Sequence, residues 1–111
     1  MSEIISRKLL SEVLGDFPTL IQIDDNEVYI EFGIGYDMKF RYINIYELAH
    51  KCKEWAITNN YELNSYITSD TCWCGVRVPS MALLNLYSFN ADSEPEAIFK
   101  ACQWLLENKD K

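Results

Sequence analysis

Two segments of the sequence begin with the same polar pattern, and this pattern constrains the fold more than any other feature. Each has an amide or hydroxyl side chain, then Glu three residues on, Lys four further and Trp four after that. Residues four apart lie on one flank of an α-helix, and a capping side chain followed by Glu three residues later is a capping box. The sequence therefore predicts two capped helices, each with an acid, a base and a large ring along one edge. The two sets are Asn44, Glu47, Lys51, Trp55 and Ser93, Glu96, Lys100, Trp104.

The rest of the chain predicts a further helix and several strands. Residues 3 to 14 carry a helical apolar stripe that ends at Gly15, and alternating apolar residues after the polar run 24 to 26 predict a β-hairpin. Residues 33 to 42 break this alternation, and we expect a loop with some extended character. Three more strands are predicted at about residues 61 to 68, 72 to 78 and 83 to 89.

The predicted order of elements is α-ββ-α-βββ-α. Grouped hairpins without alternating βαβ units indicate an α+β fold, in which helices pack on an antiparallel sheet of about five strands. A chain of 111 residues is the size of one domain, so we expect residues 1 to 111 to form a single α+β domain. The capped helices lie 49 residues apart, which would also fit a decayed duplication of a strand–strand–helix unit. We favour independent selection, because capping, ion pairing and packing require the same residue types.

The charge of the chain bears on its partners. Seventeen acidic residues against ten basic ones give a formal net charge of −7, which repels phosphate backbones and argues against direct nucleic-acid binding. The acidic residues are compatible with a basic protein partner. The alternative is that they only keep a small domain soluble. Apolar runs are short, and residues 1 to 8 lack the continuous apolar region of a signal peptide. We therefore expect a cytoplasmic protein that does not enter membranes.

The two helical segments also resemble known sequences. The segments YINIYELAHKCKEWA and SEPEAIFKACQWLLENK resemble conserved blocks of small uncharacterised proteins from phages and prophages. The second is also similar to the closing motif of the phage αβα-sandwich domain family. The resemblance covers roughly a third of the chain and implies a helix–sheet–helix sandwich of phage or prophage origin. It implies no activity, since these families offer no established catalytic or binding residues to carry over.

The cysteines are the candidates for a metal site. Four thiolates could hold tetrahedral zinc, but the chain has no C-x-x-C pair, and one residue between two cysteines on a strand separates their sulfurs by about 6.5 Å. We favour reduced, mostly buried cysteines that pack as small apolar residues, with zinc and a redox pair as alternatives, and we expect no cofactor. The four are Cys52, Cys72, Cys74 and Cys102.

Catalytic motifs are absent from the sequence. It has neither a G-x-S-x-G elbow nor a phosphate-binding glycine loop, and its single histidine, His50, lies at the edge of a helical stripe with no Cys–His dyad beside it. We therefore expect a protein that is not an enzyme.

Exposed aromatic residues are the candidates for a binding surface. Aromatic and Met side chains alternate through the predicted loop, and one Trp lies between two cysteines of a predicted strand. Such side chains dominate interface hot spots, although covering the core is the alternative role for each. The candidates are Tyr36, Met38, Phe40, Tyr42 and Trp73.

Charge, aromatics and resemblance together lead to one functional hypothesis. We expect a small acidic phage or prophage accessory protein that binds another protein, in one version a basic host enzyme of defence or nucleic-acid metabolism that it inhibits. Two alternatives remain open. The loop from Tyr36 to Tyr42 would serve as a lid over a small ligand, or Trp73 would be buried in a homo-oligomer.

Overall fold

The computed structural model describes residues 5–33, 35–78 and 87–108. The elements follow the order α-βββ-α-βββ-α, which confirms the α+β class. A turn of 3-10 helix, Gly35–Asp37, precedes the third strand. The elements are α1 Arg7–Leu14, β1 Pro18–Asp24, β2 Glu27–Phe32, β3 Lys39–Asn44, α2 Ile45–Thr58, β4 Glu62–Ile67, β5 Cys72–Arg77, β6 Tyr87–Ala91 and α3 Glu94–Asn108.

The strands form two sheets, so the prediction of one sheet of about five strands is wrong. The first sheet has the order β1-β2-β3 and the second the order β4-β5-β6, and all neighbours are antiparallel. Within each sheet every strand pairs with the strand that is next to it in the chain, so each sheet is a three-stranded antiparallel meander. The helix α2 follows the first meander and packs against both β3 and β4. Residues 83 to 86 of the last predicted strand lie outside the described residues.

The strand β3 occupies much of the segment that the sequence predicts as a loop. Gly33 and Gly35 have left-handed backbones, with φ of 80° and 65°, and turn the chain back along β2. Tyr42 then lies opposite Tyr29 in the ladder. Of the six residues of β3 only Ile43 is buried, and the alternating rings of Phe40 and Tyr42 are exposed. The alternation in this segment therefore does not mark a buried face, which is the pattern by which half-buried strands are recognised in sequences.

Both predicted capped helices are present. Ser93 Oγ accepts a hydrogen bond from the backbone amide of Glu96 at 3.4 Å, as the capping pattern predicts. Asn44 Oδ1 instead accepts from the amide of Tyr46 at 2.9 Å and not from that of Glu47. Asn44 is also the last residue of β3, so its side chain caps the helix directly from the end of the strand.

After α1 the chain repeats one topology, because each three-stranded meander is followed directly by a long helix. The first unit is β1, β2, β3 and α2, and the second is β4, β5, β6 and α3. The repeated unit is therefore longer by one strand than the strand–strand–helix unit considered from sequence.

One hydrophobic cluster joins the helices to both sheets. The three helices contact one another, and the sheets turn their inner faces toward them. Phe99 of α3 is the largest fully buried side chain among the described residues. No helix in the described ranges has the length and apolar character needed to cross a membrane. Representative buried residues are Leu9 and Leu10 of α1, Val28 and Ile30 of β2, Leu48 and Cys52 of α2, Cys74 and Val76 of β5, and Ile98, Phe99 and Leu105 of α3.

Candidate functional site

The predicted binding residues lie on two different sheets. Phe40 and Tyr42 project from β3 on the outward face of the first sheet and are 64% and 60% exposed. Tyr36 and Met38 are also exposed, in the connection that leads into β3. Trp73 belongs to β5 in the second sheet and is half-buried. The structure therefore brings Phe40 and Tyr42 together and places Trp73 elsewhere.

A third ring, which the sequence prediction missed, completes a cluster with these two. Tyr29 of β2 lies with its ring centroid 4.9 Å from that of Tyr42 and 6.2 Å from that of Phe40. The centroids of Phe40 and Tyr42 are 6.3 Å apart, at a near-perpendicular angle of 83°. The alternation in β2 was the sequence signal that could have identified Tyr29. Val28 and Ile30 point to the core, so Tyr29 between them must point outward.

Acidic side chains surround the ring cluster on the same face. Tyr29 Oη donates a hydrogen bond of 2.6 Å to Glu31 Oε2. This hydrogen bond to the carboxylate raises the pKa of Tyr29 to about 12, and burial and the carboxylate charge act in the same direction. Asp24 and Glu27 lie directly opposite each other across the β1–β2 hairpin. The face thus combines aromatic rings with three carboxylates.

We call this surface the aromatic–acidic face and define it as the outward side chains of β1, β2 and β3. Part of it is a shallow depression of about 520 Å³, and none of the residues that line the depression is a Lys, Arg or His. The side chains that form the face are Leu20, Gln22, Asp24, Glu27, Tyr29, Glu31, Phe40 and Tyr42.

The outward face of the second sheet has a different chemistry. The rings of Tyr66 and Trp73 are nearly parallel, at 10°, with centroids 6.4 Å apart. On the same face, four residues away along each strand, Arg77 Nη2 lies 3.1 Å from Glu62 Oε2. This face therefore has an acid that is already paired with a base, whereas neither ion pair among the described residues involves an acid of the aromatic–acidic face.

The cysteines belong mainly to the core. Cys52, Cys74 and Cys102 are buried, whereas Cys72 is half-buried. Burial raises the pKa of Cys74 to about 12. The pKa of Cys102 is raised by its contact with Cys52 and by burial, and its thiol donates to the backbone oxygen of Cys52 at 3.6 Å. In residues 5–33, 35–78 and 87–108 no three His, Cys, Asp or Glu side chains are grouped as metal ligands, so this geometry gives the zinc alternative no support.

This burial predicts unequal thiol reactivity. A thiolate is the reactive form, so thiols with raised pKa values and no solvent access react slowly at about pH 8. With a disulfide reagent such as Ellman's, the folded protein should release about one equivalent of chromophore quickly, from Cys72, and the remaining three only on unfolding. The C72S variant should lose the fast phase. Rapid reaction of any thiol in folded C72S would contradict the buried placement of the other three.

His50 lies on the exposed side of α2. Its Nε2 is 3.8 Å from Glu54 Oε1, one turn further along the same helix, and both side chains are mostly exposed. An exposed pair of this kind is an ordinary surface contact of a helix.

No protein-family model, curated protein or solved structure matches this chain. The function of the protein is therefore inferred from the geometry of its own residues, above all those of the aromatic–acidic face.

Proposed function

We propose that this protein is an accessory protein of a phage or prophage that works by binding another protein through the aromatic–acidic face. One observation carries this proposal: Tyr29, Phe40 and Tyr42 form a cluster on a sheet face that none of the described helices covers, and the two residues of β3 are mostly exposed. Rings that pack on one another give a large and rigid contact area at low entropic cost. Exposed apolar patches with a polar rim mark sites of protein contact.

The proposed origin and partner have separate supports. The origin is supported by the resemblance of the segments at residues 42 to 56 and 93 to 109 to phage and prophage proteins. The partner is proposed to be a basic host protein, because the chain has a net charge of −7 and the carboxylates of the face lie beside its rings. A nuclease or other nucleic-acid enzyme of host defence has a cationic groove of this kind, which the protein would occupy as an inhibitor.

The ligand-binding alternative is less favoured by the geometry. It needs the segment from Tyr36 to Tyr42 as a lid, but Lys39–Asn44 is a strand paired along its length with β2. A paired strand cannot open and close over a ligand without breaking that ladder.

Capture from host lysate with matched variants tests the proposal. The F40T/Y42T variant removes two rings, and threonine keeps the preference for a strand. The Y66T/I67T variant removes two exposed apolar side chains from β4 of the second sheet, Tyr66 from its outward face and Ile67 from the opposite side, and is the control. The wild type and the control should retain one common protein, and F40T/Y42T should retain at most about a tenth of it, because interface aromatics contribute most of the binding energy.

Two outcomes would contradict the proposal. Equal retention by all three forms would show that the captured protein binds elsewhere, and loss with Y66T/I67T alone would move the site to the second sheet. Far-ultraviolet circular dichroism of each variant shows that the comparison is made between folded proteins. Repeating the capture at about 0.1 M and about 0.5 M NaCl tests the charge component, since attraction between exposed charges weakens as salt screens them.

A further inference from the structure

We infer that the aromatic–acidic face binds arginine side chains, so that its occupant is an arginine-containing segment of a basic protein. This inference rests on the proposed function and specifies the chemistry of the same face. The charges of the face, the geometry of its rings and the spacing of its acids support it.

The carboxylates of the face lack a cationic partner among the described residues. Neither ion pair in residues 5–33, 35–78 and 87–108 involves Asp24, Glu27 or Glu31. Asp24 and Glu27 face each other across the hairpin, and like charges directly opposite each other destabilise a strand pair. The repulsion between these two carboxylates lowers the stability of the hairpin, and a partner that supplies positive charge would relieve it. Destabilising features of this kind are expected at functional sites.

The rings favour a planar cation. The Tyr29 and Tyr42 rings, 4.9 Å apart, lie beside the carboxylates in the same depression. A guanidinium group can lie flat on such a ring and donate two parallel hydrogen bonds to a neighbouring carboxylate, whereas the ammonium of lysine is a point charge that is strongly hydrated. The hydrogen bond from Tyr29 to Glu31 holds one ring and one acid in position before a partner arrives.

The spacing of the acids argues against a metal ion as the occupant. Within the described ranges no three acidic side chains converge as ligands of one ion would. The acids are instead spread along β1 and β2 around the rings, over a depression of about 520 Å³. Such a surface fits large, delocalised cations that are presented by a chain.

Peptide binding tests this inference without the natural partner. The probes are hexa-arginine and hexa-lysine, titrated by calorimetry into the wild type, into D24N/E27Q/E31Q and into D16N/D70N/E107Q. Both triple variants change the net charge by the same amount, and the second removes exposed acids away from the face. Because removing like charges that oppose each other relieves repulsion, D24N/E27Q/E31Q should melt no lower than the wild type.

The expected result is specific to the face. Hexa-arginine should bind D24N/E27Q/E31Q about tenfold more weakly than the wild type, and D16N/D70N/E107Q within about twofold of it, because close opposite charges contribute more than distant, screened ones. The wild type should prefer hexa-arginine to hexa-lysine by about threefold or more, and Y42T should reduce that preference while keeping every carboxylate.

Three outcomes would overturn the inference: equal losses in both triple variants, which indicate attraction by net charge alone; no preference for arginine; or no binding of hexa-arginine at all. The proposed function has a separate readout. If F40T/Y42T loses its captured protein while hexa-arginine fails to bind, protein binding by the face stands and its arginine chemistry does not.

Discussion

Replacing Phe99 with alanine should lower the free energy of unfolding by about 4 kcal/mol, the loss typical of a fully buried aromatic ring. Phe99 lies on α3 and has no exposed surface. The helix α3 packs against all three strands of the second sheet and against α2. The lost ring therefore removes apolar burial and leaves a cavity where these elements meet. Urea denaturation followed by circular dichroism measures the change.

The matched control for this prediction is Y36A. The side chain of Tyr36 is fully exposed, so its removal should change the free energy of unfolding by less than about 0.5 kcal/mol. One hydrophobic cluster joins both sheets, so F99A should shift a single transition. A loss below about 1 kcal/mol, or a transition that splits in two, would contradict this description of the core.

Replacing Gly33 with alanine should lower the free energy of unfolding by about 2 to 4 kcal/mol, through two separate effects. Gly33 has a φ of 80°, which costs residues with a Cβ about 1 to 2 kcal/mol. A Cβ built at this position would also lie 3.0 Å from the backbone oxygen of Asp37, which cannot move as a flexible side chain can. Because Gly33 directs the chain into β3, the variant should also disturb the aromatic–acidic face.

The G15A variant separates the two effects in the same denaturation experiment. Gly15 ends α1 with a φ of 92°, but a Cβ there would meet no atom within 4 Å. It should therefore show the backbone cost alone, about 1 to 2 kcal/mol. Equal losses in G15A and G33A would contradict the close contact with Asp37.

Local signals account for the parts of the fold that were predicted correctly. Both long helices begin at capping side chains that are visible in the sequence, Asn44 and Ser93. Ser93 accepts from the predicted amide of Glu96, whereas Asn44 accepts from Tyr46, one residue before the predicted Glu47. The Asp25–Asn26 turn of the hairpin is equally local, and Asp25 adopts a positive φ of 55° in it. The division into two sheets was missed because strand pairing depends on which edges meet in space, and no short pattern encodes that.

The candidate site was predicted only in part, because strand pairing in space also brings its residues together. Phe40 and Tyr42 were found from their alternation, but Tyr29 and Glu31 join them only through the register of β2 against β3. Without β3 as a strand, the sequence offers no reason to place them together. Trp73, also predicted as a binding residue, lies on the other sheet, where it stacks on Tyr66.

We propose that the aromatic–acidic face of the first sheet, and not the second sheet, binds the protein partner. The dissociation constant of the captured protein, measured by calorimetry for the wild type, F40T/Y42T and Y66T/I67T, tests it most directly. Binding should be weaker than that of the wild type by about tenfold or more for F40T/Y42T, and within about twofold of it for Y66T/I67T. Equal affinity of F40T/Y42T and the wild type would contradict it.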